Sequence, residues 1–377
     1  MLPRPFRLER YFARFEFTTR YLLSSSDCEA LTLPELLDLA EPADRDAYCH
    51  LKLGYTESNG LPQLRELVAQ QVGVSPDEVV IAAPEEAIYL TMRSLLRPGD
   101  RIIVMFPGYQ SLYELATSIG CQVEHWTAEE TNEGWRFDPE ALTALVQPGV
   151  RAVVVNFPHN PTGALLEAGE WQRVQAMADR VGAYLVSDEM YHGLEHGSAR
   201  LPSAASAGGK SISVGGLSKS YGLPGLRIGW VATREADLLR AIQHYHDYTT
   251  ICSSAPSERL AVIALKNAAK LQERCRSMVA RHLPMAESFF TRRKDRFGWR
   301  RPAAGPVALV RFHPSQAQMF CEDAAQRAGI MLVPSSVFEW GDSHIRFGLG
   351  RANFPEALDA LEHYLAKEPR SADNDEH

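Results

Sequence analysis

The sequence predicts an α/β protein, with a large domain of mostly parallel, mixed sheet covered by helices and a smaller α+β domain assembled from the two ends of the chain. Three observations carry this. Between about residues 46 and 255, short β-branched runs alternate with helix-length amphipathic stretches, and parallel neighbours need long, usually helical, connections. The flanking segments, 1–45 and 256–377, lack that tight alternation and are assigned jointly to the second domain. With 377 residues, 45% apolar and 23% charged, the chain has ordinary globular composition and length for more than one domain.

Each element has its own signal. Val79-Val80-Ile81-Ala82 reads as a buried strand, and residues 85–96 follow with a helical stripe at 88, 92, 95 and 96. Arg97-Pro98-Gly99-Asp100 ends that helix in a turn. A strand over 102–105, a helix over 111–119 and a strand over 121–125 come next. Asp138-Pro139 is an N-cap followed by proline at the first helical position, opening a helix to 146. Strands at 153–156, 184–187 and 212–215 continue the series, with a helix over 170–181 between the first two. A long helix over 257–288 connects to the small domain. The tail, 370–377, has no apolar anchor and is expected to fray.

Charge and cysteine usage exclude several function classes. With 39 Lys and Arg against 47 Asp and Glu, the net charge is −8, which disfavours a phosphate-tracking nucleic-acid binder or an anionic-membrane binder. Short basic clusters such as Arg292-Arg293-Lys294 read as solvated surface. The six cysteines form no C-x-x-C pair and no zinc-ligand spacing, so neither a disulfide framework nor a metal site is suggested. No apolar run approaches the ~20 residues that span a bilayer, and no signal segment opens the chain, so a soluble, cytoplasmic protein is expected.

The chemistry is expected where strands of an open α/β sheet end, because ligands bind at the carboxyl edge. The loops leaving four strands carry unusual residues. They are Phe106-Pro107-Gly108-Tyr109; Asn156-Phe157-Pro158-His159-Asn160-Pro161-Thr162-Gly163; Asp188-Glu189-Met190-Tyr191; and Gly215-Gly216-Leu217-Ser218-Lys219-Ser220-Tyr221-Gly222-Leu223-Pro224-Gly225-Leu226-Arg227. Singly each has an ordinary structural explanation as turn, cap or surface residue. Together they supply a lysine, a carboxylate, amide and hydroxyl donors, an aromatic ring and a cation, the set that a pyridoxal phosphate site needs.

On these motifs, from about Leu53 to Gly350, the chain resembles the fold-type I pyridoxal phosphate enzymes of the class I and II aminotransferase family. The resemblance implies pyridoxal 5′-phosphate as cofactor and a role for each matching residue. Lys219, in Leu217-Ser218-Lys219-x₇-Arg227, would form the Schiff base and shuttle a proton. Asp188 would hold the pyridine nitrogen protonated. Asn160 and Tyr191 would hydrogen-bond the phenolate oxygen, and Tyr109 would stack on the ring. Arg227 and Ser218, with Glu85 and Glu86 at a helix start, would hold the phosphate. Tyr55 would reach the phosphate of a neighbouring subunit, implying a homodimer with shared sites. Arg346, with Asn160 and Ser26, would bind the substrate, the arginine clamping its α-carboxylate. The arm 1–45 would contribute to the small domain and close over the site, and 46–255 would bind the cofactor.

Two departures from the family pattern bear on the phosphate. Gly216 stands where a Ser or Thr is usual, removing one hydroxyl donor, and Pro84 stands where a backbone N–H is usual. The function these features predict is transfer of an amino group from an L-amino acid to a 2-oxo acid. The same apparatus serves β-lyases and cyclases; the stretches around Asn160 and Lys219, with Asp247-Tyr248-Thr249-Thr250, are similar to a cyclase of the capreomycidine synthase kind. A remote third reading is a cofactor-binding sensor module. The complete Lys219, Asp188 and Arg227 set argues against it.

Overall fold

The computed structural model describes residues 2–197 and 199–367; the expected fraying of 370–377 lies outside the described residues. A seven-stranded sheet forms the centre of the larger body. Its strands are β1 (Val79–Ala82), β2 (Arg101–Phe106), β3 (Gln122–Thr127), β4 (Val150–Asn156), β5 (Tyr184–Asp188), β6 (Ser211–Gly216) and β7 (Gly229–Thr233), in the spatial order β1-β7-β6-β5-β4-β2-β3. The neighbours from β6 through β3 pair in parallel. Only β7 runs against its neighbours, β1 and β6.

All residues of β1 and β6 are buried, as are the last five of β4, because helices cover both faces of the sheet. These strands therefore read in the sequence as continuous apolar runs. The 138–139 cap forms as expected, with the Asp138 carboxylate accepting from Glu140 N at 3.0 Å. One apolar cluster on the sheet gathers Val104, Val154, Val186 and Val214 with Leu90 and Leu95 of the helix Pro84–Leu95. The opposite one holds Ile103, Val153 and Leu185 with Trp171 of Ala168–Val181.

A second, antiparallel sheet comprises β8 (Phe297–Gly298), β9 (Val307–Phe312), β10 (Val333–Pro334) and β11 (His344–Gly348), in the order β8-β9-β11-β10. Its core takes in Leu8, Tyr11 and Phe15 from the helix α1 (Arg7–Phe15) and Leu23 and Cys28 beyond it. The short helices Leu33–Leu37 and Pro42–Cys49 pack elsewhere, their Leu36 and Tyr48 joining the cluster of Leu260 and Leu265 on the outer side of the large body.

Two expectations need correction. The connecting helix expected at 257–288 is two helices, Ala255–Lys266 and Ala268–Arg292. Asn267 breaks it: its φ of −109° leaves the helical region, and its side-chain amide bonds Leu39 O at 3.1 Å and Ile263 O at 2.9 Å. The strand β7 was not expected at all. No helix among the described residues is long and apolar enough to cross a membrane.

Candidate active site

The carboxyl ends of β1, β2, β4, β5 and β6 face one cavity of about 300 Å³. The antiparallel course of β7 matters here. Its first residue, Gly229, pairs with the last residue of both flanking strands, Gly216 and Ala82. The chain leaving β6 therefore returns to the edge it left, closed by Leu217 N donating to Ile228 O at 3.0 Å, and Lys219 and Arg227 both line the cavity.

Lys219 donates from Nζ to Ser26 Oγ at 2.9 Å, and burial pushes its ammonium below the ordinary value, with Asp27 opposing. Asp188, at the end of β5, accepts from Met190 N at 3.0 Å. Burial lifts its carboxyl from 3.8 to about 7, Glu85 and Glu189 adding repulsion and Lys219 opposing. Tyr191 and Ser218 also line the cavity; their hydroxyls are buried and form no hydrogen bond of ordinary length, Ser26 lying near the first. Asn160 is held by its backbone N–H, which donates to Asn156 Oδ1 at 2.9 Å. Its Oδ1 in turn accepts from Arg346 Nη1 at 3.0 Å.

Tyr109 leaves β2 to line the cavity beside Phe6, their ring centroids 5.1 Å apart. Arg227 adopts the left-handed conformation with φ 56°, anchored by Nη1 donating to Pro224 O at 3.0 Å; a non-glycine residue held there is a strain that function commonly explains. Arg346, on β11, is wholly buried. Its two hydrogen bonds go to neutral oxygens, Asn160 Oδ1 and Ser24 O at 2.9 Å, and its Nε has no partner. A buried guanidinium without a carboxylate is costly, and an anionic ligand would complete it.

The remaining expected residues divide. Ser26 lines the cavity because the 24–28 segment runs directly against β11: a Cβ on Gly348 or Gly350 would collide with the backbone of Ser25 or Asp27. Glu85 lines the cavity, its carboxyl bonded by Ser111 Oγ and lifted above the ordinary range by burial. Glu86 does not line the cavity with its side chain: its carboxylate accepts from Thr249 and from Thr250 Oγ1 at 2.9 Å, and its backbone N–H lies in the first helical turn, where N–H groups have no intrahelical acceptor. Tyr55 is 92% exposed and lines a different surface depression. Asp27 is paired with Arg351 at 3.1 Å.

Pro84 and Gly216 turn out to be one packing unit. A Cβ at Gly216 would lie 3.1 Å from Pro84 Cγ, 3.1 Å from Met190 Sδ and 3.2 Å from Gly229 Cα. The proline ring would have to give by a few tenths of an ångström to admit a side chain at 216. Sequence reasoning also missed Leu8, Glu9 and Phe12 of α1 and Asn156, all on the cavity wall. The apolar spacing of Leu8, Tyr11 and Phe15 was a readable sign of the helix, though not of where it docks.

The donor set fits pyridoxal phosphate. A buried acid, two unpartnered hydroxyls, the Arg227 cation and a helix start converge on one cavity, with a lysine at its centre. Comparisons with known proteins bear on the family and the cofactor. The family model described as aminotransferase class I and II matches residues 22–361. Capreomycidine synthase of Streptomyces vinaceus is 31% identical over 370 residues, covering 96% of this chain and 94% of that protein. Among solved structures, a PLP-dependent aminotransferase from Streptococcus suis superposes with a TM-score of 0.91 at 30% identity, covering 98% of this chain and 100% of that one. The PLP-dependent cyclase OrfR gives 0.90 at 29%, covering 97% and 98%.

Proposed function

The chain belongs to the class I and II aminotransferases, with pyridoxal 5′-phosphate as its cofactor, and from that membership we propose that it moves an amino group from an L-amino acid to a 2-oxo acid. The observation that carries the reading is the wholly buried Arg346, bonded only to neutral oxygens beside Asn160. Such a group suits a carboxylate, held by two parallel charge-assisted bonds.

When bound, the cofactor supplies an aldehyde carbon and an electron-withdrawing ring. The residues of this chain do the rest. Arg227, Ser218 and the N–H groups at the start of Pro84–Leu95 hold the phosphate. Asp188 keeps a proton on the ring nitrogen, and Asn160 and Tyr191 donate to the phenolate oxygen. Tyr109 packs against the ring. Lys219 Nζ is the base for the Cα proton and then the acid that returns it; its lowered ammonium favours the neutral amine that this needs. Arg346, with Asn160 and Ser26, fixes the substrate so that the Cα–H points at Lys219. We further propose a cytoplasmic homodimer in which Tyr55 reaches the partner's phosphate. Its 92% exposure, away from the cavity of its own chain, supports the shared site.

A second reading, cyclisation or β-elimination on an amino acid, is favoured by the likeness to capreomycidine synthase and to the cyclase OrfR. One experiment separates the two. The cofactor-loaded enzyme is incubated with single amino acids and the products are identified. Appearance of the donor's 2-oxo acid, with the amino group left on the cofactor, supports transamination. Retention of the amino group in a cyclic product, or release of free ammonia with a 2-oxo acid that has lost the β-substituent, supports the second reading, and no conversion of any amino acid refutes both.

A further inference from the structure

We propose that Glu9 selects amino acids with a positively charged side chain by pairing with that charge at the mouth of the cavity. This rests on the amino-acid reading above and deepens it. Glu9 lies on α1, which crosses the cavity and lines it with Leu8, Glu9 and Phe12. The start of the helix is pinned to both bodies. Arg4 N and Nε each donate to Glu114 at 2.7 Å, Arg7 N donates to Gln110 Oε1 at 2.8 Å, and Arg4 and Arg7 pair with Glu339 at 3.2 and 3.8 Å. Glu9 is thereby held in place without spending its own carboxylate.

A charge inventory of the cavity then singles it out. The cations are Lys219, Arg227 and, behind Asn160, Arg346; base, phosphate and α-carboxylate occupy all three. Among the acids, Asp188 faces the ring nitrogen, Glu85 is bonded by Ser111, and Asp27 is paired with Arg351. Glu9 makes no ion pair or side-chain hydrogen bond with the other described residues. Its charge acts on groups from four of the elements around the cavity: Lys219 after β6, Arg346 on β11, Tyr109 after β2 and Glu85 at the start of Pro84–Leu95. An anionic substrate side chain would meet this carboxylate with no uncommitted cation to offset it. An apolar one would desolvate the carboxylate and give nothing back. A guanidinium or ammonium group satisfies it.

The test uses α-methyl amino acids, which have no Cα hydrogen to lose and so bind without turnover. Calorimetric dissociation constants are measured for α-methylarginine, α-methylleucine and α-methylglutamate on cofactor-loaded wild type, Glu9→Gln and Glu9→Lys. Wild type should bind the arginine analogue roughly 10-fold more tightly than the leucine analogue, the scale of one hydrogen bond to a charged group. Glu9→Gln should remove that preference by weakening the arginine analogue alone, and Glu9→Lys should shift preference to the glutamate analogue. Binding of all three with an unchanged order in the variants overturns the role of Glu9 and leaves the amino-acid reading standing. Binding of none removes that reading, and the role of Glu9 with it.

Discussion

Asp188 should make the cofactor-free protein less stable as pH rises, by an amount that the structure sets. Its carboxyl is lifted from 3.8 to about 7, chiefly by burial. Below pH 3.8 it is protonated folded or unfolded and contributes nothing. Above that value the unfolded chain ionises first, so unfolding is increasingly favoured until the folded carboxyl ionises too, and the cost is complete above about pH 7. A rise of roughly three pH units corresponds to about 4 kcal/mol. Asp188→Asn is close to isosteric, and its Oδ1 can still accept from Met190 N, so it removes the titration and leaves the packing. In urea unfolding of the cofactor-free proteins, the advantage of Asp188→Asn over wild type should grow by about 2 kcal/mol between pH 5.5 and 8.5, the part of the cost that falls in that window. Saturating pyridoxal phosphate should reverse the order, because a protonated ring nitrogen neutralises the buried acid. A gap that stays constant with pH would mean that Asp188 is ionised throughout, and the argument from burial would fail.

Glu85 places a second raised carboxyl beside the phosphate residues, so cofactor affinity should fall as pH rises and this acid ionises. Fluorescence titration of pyridoxal phosphate over a pH series that starts near the ordinary carboxylate range and runs upward should show a steeper loss in wild type than in Glu85→Gln, and parallel losses would refute it. Arg346→Lys should raise the donor KM roughly 10-fold or more while leaving cofactor affinity unchanged, since a point charge replaces a planar fork; an unchanged KM would remove Arg346 from the substrate. Mixing Tyr55→Phe with Lys219→Ala subunits should give activity above either parent, through heterodimers that keep one intact site. A fully active monomer in sedimentation analysis would refute the shared site.

Much of this site was legible because its residues lie in short motifs at strand ends. The run Val153-Val154-Val155 announces its strand, and the Lys219 to Arg227 spacing survives any uncertainty about strand bounds. What stayed hidden depends on contacts between distant parts of the chain. Gly229–Thr233 begins with glycine, is five residues long and sits inside a motif, so its antiparallel pairing had no periodic signal of its own. The helical stripe of Leu8, Tyr11 and Phe15 was readable, but Glu9 becomes a wall of the cavity only through Arg4, Glu114 and Glu339. The break at Asn267 depends on Leu39 O, a carbonyl 228 residues away that no local pattern indicates.

The contact of Pro84 with Gly216 constrains the order in which this sequence can change. A serine introduced at 216 alone would meet the proline ring, Met190 and Gly229 at once, and its hydroxyl would come at the expense of the packing beneath the cofactor. Replacing Pro84 alone would restore an N–H but open a void against two glycines. The two positions touch, so the effects of changing them should be non-additive.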